Sequence, residues 1–149
     1  MKKLVVILTA AVMLFSAFTF ATDSDNVNAR VKAAFLHDFS AASDVSWGKT
    51  SDFYFATFTL NHVEVNAAYT EQGELVGTSR TMETSQLPLS VSLALAKKYD
   101  GYEVAKKVLE LTFEGQTRYY ITVANNTHLL KLKCLSNGDI EVEKKIKKG

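Results

Sequence analysis

Two periodicities alternate along this chain. Val27, Val31, Phe35 and Phe39 recur every fourth position with Ala34 beside them, predicting a helix with one apolar stripe. Asp25 or Asn26 is placed to accept the free amides of its first turn. Leu87, Val91, Leu95 and Tyr99 predict a second helix, with Pro88 at its first position, where a missing N–H costs nothing, and Gly101 as its stop. Elsewhere the period falls to two. Val63, Val65, Ala67 and Tyr69 share one face, and His62, Glu64, Asn66 and Ala68 the other. Leu130, Leu132 and Cys134 continue that pattern opposite Lys131 and Lys133. Such alternation marks strands with one buried and one wetter face and favours antiparallel pairing. Leu60-Asn61-His62, Gln72-Gly73, Glu114-Gly115-Gln116, Asn125-Asn126 and Asn137-Gly138 supply turn signals between the runs. The predicted order is helix, about four strands, helix, about four strands. That is an α+β fold in which the helices cover one face of an antiparallel sheet.

The two halves resemble each other. At an offset of 65 residues, Tyr54, Thr57, Asn61, Gly73, Glu74 and Leu75 meet Tyr119, Thr122, Asn126, Gly138, Asp139 and Ile140. In the helices the offset is 60, so that Val31, Phe35 and Phe39 meet Val91, Leu95 and Tyr99. The difference falls between Tyr99 and Arg118, where the second half is expected to have the longer hairpin. Two pseudo-repeats, about 26–84 and 85–149, would share one sheet.

Several of these residues also carry a resemblance to a known family. Val31-x3-Phe35-x3-Phe39 is followed by Val45-Ser46-Trp47, then Phe58, Asn61, Tyr69, Gly73 and Leu75, then Leu87-Pro88-x2-Val91-x3-Leu95-x3-Tyr99. The pattern resembles the β-lactamase-inhibitor-like, PepSY-like proteins exported by Bacteroidetes-type bacteria. The resemblance spans nearly all of residues 22–149. It implies tandem helix-plus-sheet units and an inhibitory or binding role, and it brings no catalytic residues with it.

The beginning of the chain adds an address. Met1-Lys2-Lys3 precedes an apolar run from Leu4 to Phe20, and the small residues Thr19 and Ala21 precede the polar Thr22-Asp23-Ser24-Asp25. A charged start, an apolar middle and a small-x-small exit make residues 1–21 a signal peptide cleaved after Ala21. The product, residues 22–149, is expected to be periplasmic or secreted, with no membrane span left after cleavage. It is not expected to be a lipoprotein, because the one cysteine, Cys134, is far from the cut. Residues 1–21 hold two of the 17 basic side chains and none of the 16 acidic ones, so the exported part is nearly neutral. That speaks against nucleic acid or an anionic membrane as partner. One thiol forms no internal disulfide, so stability rests on packing. Partner identity and oligomeric state are not encoded in any motif.

Candidate chemistry is sparse. His37, His62 and His128 form no close pair of the kind zinc sites use, so no metal or cofactor is expected. Cys134 aligns with Tyr69 on an inward face and reads as a buried thiol rather than a nucleophile. Glu141 and Glu143 fit the outward face of the last strand, opposite Ile140 and Val142. No nucleophile elbow, phosphate loop or dinucleotide fingerprint occurs. The expectation is a non-enzyme.

One feature suggests contact. If Tyr54, Ala56, Phe58 and Leu60 face the helices, then Phe53, Phe55, Thr57 and Thr59 face away. The second half would place Arg118, Tyr120 and Thr122 outward, with Lys131 and Lys133 nearby. Phe53, Phe55, Arg118, Tyr120, Lys131 and Lys133 are therefore the candidate partner-binding residues, the partner being another exported or periplasmic protein. Alternation equally allows these strands to be buried on both faces. Two rival functions stay open: a binder of a small ligand or envelope component, using a pocket under the helices, and a hydrolase whose site spacing conceals.

Overall fold

The computed structural model describes residues 24–149, so the signal peptide expected at residues 1–21 and its cut after Ala21 lie outside the described residues. The fold is α+β, as the periodicity implies. Helix α1 is Ala29–Asp38 and is followed by β1 (Ser43–Lys49), β2 (Phe53–Leu60), β3 (Val63–Thr70) and β4 (Leu75–Glu83). Helix α2 is Leu89–Lys98 and is followed by β5 (Glu103–Val104), β6 (Lys107–Phe113), β7 (Gln116–Ala124), β8 (His128–Leu135) and β9 (Ile140–Lys147). The strands form an antiparallel sheet in the order β1-β2-β3-β4-β6-β7-β8-β9, with the short β5 pairing with β7. Two compact units divide within β4: the first runs to Arg80 and takes in Phe113–Gly115, and the second holds Thr81–Thr112 and Gln116–Gly149.

In the first unit, α1 lays Val31 and Phe35 on the inward face of β1–β3, against Trp47, Tyr54, Ala56, Phe58, Val65, Ala67 and Tyr69. The register follows from the alternation, since Tyr54 pairs with Tyr69, Ala56 with Ala67 and Phe58 with Val65. The core is aromatic. Phe35 meets Trp47 and Phe58 edge-on, with ring centroids 5.2 and 5.0 Å apart, the arrangement ring quadrupoles favour. The helix cap corrects the sequence expectation. Asn28, not Asp25 or Asn26, accepts the amide of Arg30, at 2.8 Å. Asp25 and Asn26 lie in a preceding 3-10 turn, Ser24–Asn26, which tucks the buried Val27 against the core before the helix begins.

The second unit repeats these devices with other side chains. Helix α2 lays Val91 and Leu95 on Val108, Ile121, Val123, Leu130, Leu132 and Cys134. Pro88 precedes the first helical residue: its ψ of 144° is extended, making it the cap position rather than the first turn. A 3-10 turn, Thr84–Gln86, again leads into the helix.

A glycine locks each turn between the last two paired strands onto its helix. Gly73 has φ +84°, and a Cβ there would lie 3.0 Å from the Arg30 carbonyl oxygen. Gly138 has φ +97°, and its Cβ would lie 2.8 Å from the Ser90 carbonyl oxygen. Neither the dihedral nor the space admits a side chain. Beside them, Asn28 Nδ2 donates to the Glu71 carbonyl and Ser90 Oγ to the Ser136 carbonyl. Each turn is thereby tied to the first turn of its own helix.

Candidate functional site

On the face of the first unit turned away from α1, β2 presents Phe53, Phe55, Thr57 and Thr59. Their partners on β3 are Thr70, Ala68, Asn66 and Glu64. Phe55 is only 4% exposed. Across the sheet it pairs with Gly48 on one side and Ala68 on the other, and Ala68 pairs in turn with Gly77. Phe53, half-buried, meets the Phe55 ring edge-on at 6.3 Å. Thr57 Oγ1 and Asn66 Oδ1 are hydrogen-bonded at 2.7 Å. Phe55 is therefore a support and Phe53 the side chain it holds up, which corrects the expectation of two equivalent outward aromatics.

In the second unit the corresponding face carries charge. Tyr120 pairs with Lys133, and Lys133 with Glu141, so the three form one row across β7, β8 and β9. Lys133 Nζ meets Glu141 Oε2 at 2.5 Å, so this candidate partner-binding residue is already engaged in an ion pair. Lys131 is exposed, one row along. Tyr120 is half-buried, and its phenol is pushed up to about 12, first by burial and then by the carboxylate of Glu143, against a smaller opposing pull from Arg118. It is a neutral hydroxyl at any physiological pH.

Arg118 is the largest departure from expectation, being only 5% exposed. Its Nη2 donates to Gln116 Oε1 at 2.5 Å. Its Nη1 is equally buried and meets no hydrogen-bond acceptor among the described residues. Gln116 lies two positions away on the same strand face, so this contact could have been read from the alternation.

The other candidate chemistry resolves simply. Cys134 is fully buried, and its thiol is raised to about 11 by desolvation, with Lys98 pulling weakly the other way. It is a neutral packing group at neutral pH. His37 lies 3.2 Å from its neighbour Asp38, His62 occupies a left-handed turn position at φ +64°, and His128 contacts Thr127. Among the described residues, no three His, Cys, Asp or Glu side chains come together as metal ligands. No helix among them is long and apolar enough to cross a membrane.

Comparison with known proteins agrees with the architecture. The chain is similar to a BLIP-like protein from Bacteroides fragilis, with a TM-score of 0.68 and 18% identity over 88% of this chain and 92% of that one. It is also similar to a DUF2874 family protein from Bacteroides uniformis, with a TM-score of 0.65 and 23% identity over 80% and 88%. A third solved structure, from Bacteroides eggerthii and provisionally assigned to the periplasm, has a TM-score of 0.64 and 22% identity over 86% and 89%. No family model and no curated protein matches the sequence. At these identities the likeness shows a common BLIP-like fold.

Proposed function

We propose that this chain is an exported, non-enzymatic binding protein of the β-lactamase-inhibitor-like, PepSY-like group. It acts in the periplasm or outside the cell by occluding another exported protein with the uncovered face of its sheet. The observation that carries this reading is Phe53, a partly exposed aromatic braced edge-on by the buried Phe55. A side chain already held in one orientation loses little rotamer entropy on binding, which is what makes a ring an effective anchor. The second unit offers its own half-buried ring, Tyr120, beside the Lys133–Glu141 pair and the exposed Lys131. Support for the address comes from the signal-like start of the sequence and from the structural neighbour provisionally assigned to the periplasm. Support for inhibition comes from the BLIP-like neighbour.

The test is recovery of a partner from native envelope and medium by the immobilised protein and by Phe53→Ser, Tyr120→Ser and Leu89→Ser. Leu89 is exposed on α2 and serves as the control. The expected result is one partner retained by the wild type and Leu89→Ser, and reduced at least tenfold by the two sheet variants. Equal recovery by all four proteins would remove the sheet face from consideration.

A further inference from the structure

The last strand of the second unit, β9, has a strand neighbour on one side only, β8, among the described residues. Every residue from Glu141 to Lys147 is exposed. Val142 and Ile146 are 47% and 39% exposed, although both are large aliphatic side chains. A lysine-rich edge ordinarily resists pairing with other chains. This edge is not uniformly basic, however. Glu141 and Glu143 occupy its first half, and Lys144, Lys145 and Lys147 its second. Turned end for end, such a strand is complementary to itself.

The register with β8 fixes which way each side chain points. Val142 and Lys145 stand opposite the buried Leu132 and Leu130, on the face that α2 covers. Glu141, Lys144 and Ile146 stand opposite Lys133, Lys131 and Leu129, on the uncovered face. The register shifts by one residue at Glu143, a bulge in which Glu143 and Lys144 together oppose Lys131. Lys144 is thus set directly across from another lysine, an unfavourable pairing of like charges. Among the described residues it has no carboxylate partner in its own chain.

We propose that the edge of β9 is a self-association site, pairing antiparallel with β9 of a second copy about a two-fold axis between Glu143 and Lys144. Each Lys144 then faces Glu143 of the other copy, which supplies the missing carboxylate. Val142 faces Lys145, whose methylene stem covers it, and Glu141 faces Ile146. In this register every facing pair from Glu141 to Ile146 shares one face of the sheet. A shift of one or two residues either way sets an inward side chain against an outward one, because the bulge interrupts the alternation. The bulge therefore pins the register. Backbone pairing supplies the affinity, and the charge order along the strand selects the second copy over other chains. The contact is isologous and closes on itself, so it makes a pair rather than a fibre. It is separate from the sheet face proposed above and stands or falls without it.

The test is sedimentation equilibrium at low salt, using the chain recovered after export, with its N-terminus read by mass spectrometry. A monomer–dimer equilibrium is expected, with a dissociation constant on the order of 100 µM, as suits a contact one strand wide. Glu143→Lys and Lys144→Glu, both at exposed positions, should each weaken association at least tenfold and leave the circular dichroism unchanged. Each sets like charges against each other twice across the axis. Mixed in equal amounts, the two variants should associate again, because each offers the charge that the other needs. The proposal is overturned if the wild type stays monomeric up to about 1 mM, a concentration well above that constant. It is also overturned if either variant associates as the wild type does, or if the mixture associates no better than its components. A mass rising beyond two copies would exclude the closed two-fold contact.

Discussion

The two units solve one packing problem with different chemistry. In the first, a helix carrying Phe35 and Phe39 meets Trp47, Tyr54, Phe58 and Tyr69, and the Tyr69 hydroxyl reaches back to Asp38 Oδ2 at 2.9 Å. In the second, Val91 and Leu95 meet Val108, Ile121, Val123, Leu130 and Leu132, and the counterpart of Tyr69 is Cys134, facing Lys98 where the first unit has Asp38. A ring with a polar tip needs a partner for that tip, and the helix end supplies it; a small thiol needs none. What stays constant is the backbone device, a left-handed glycine pressed against the helix's first turn. Side-chain identity is negotiable in this scaffold, whereas close approach of turn and helix is not.

The comparison can be strained most strongly at the cores. Phe35→Ala removes a ring that meets four others and should cost about 4 kcal/mol, while its counterpart Leu95→Ala should cost about 3 kcal/mol, in urea denaturation. A reversed order would mean that the aromatic cluster collapses around its cavity better than the aliphatic one.

The glycines come next. Gly138→Ala should cost about 3 kcal/mol and Gly73→Ala slightly less, because each combines a positive φ with a carbonyl oxygen at 2.8 or 3.0 Å. Gly115→Ala, at φ +75° with open space around it, should cost only about 1 kcal/mol. Equal losses at all three would show that dihedral strain alone acts and that the close approach is incidental.

The thiol gives the second unit a pH signature. Folded, Cys134 is raised from 9.0 to about 11, so between those values the unfolded chain has lost a proton that the folded chain keeps. Its contribution is complete below pH 9 and is lost as pH rises through 11, a change on the order of 2 kcal/mol. The fall in stability from pH 8 to pH 11 should therefore be smaller in Cys134→Ala than in the wild type. Burial and Asp38 raise Tyr69 as well, so the first unit contributes alkaline sensitivity of the same sign that this variant leaves intact.

Tyr69→Phe tests the difference most finely. It deletes the hydrogen bond to Asp38 without moving the ring and should cost about 1 kcal/mol by thermal denaturation at neutral pH. No loss would make the Tyr69–Asp38 contact a by-product of packing rather than part of what distinguishes the units.

Local pattern determined much of this protein. Period four at Val31-Phe35 and Val91-Leu95, period two at Val63–Tyr69 and Leu130–Cys134, and glycines at the turns were enough for two helices, antiparallel strands and the inward face. Those features rest on neighbours a few positions apart, which sequence displays directly. The cap of the first helix moved by two or three residues because Asp25 and Asn26 could cap, yet Val27 gains more by being tucked into the core; the second helix starts one residue after the expected Pro88. The candidate face was legible only as a side of the sheet. Whether Phe55 and Arg118 stand in water depends on what lies across the strands: Gly48 and Ala68 beside one, burial and Gln116 around the other. Alternation states which way a side chain points. Exposure depends on cross-strand neighbours and on the depth of the surface they leave, and those are set only when the tertiary structure brings distant residues into register.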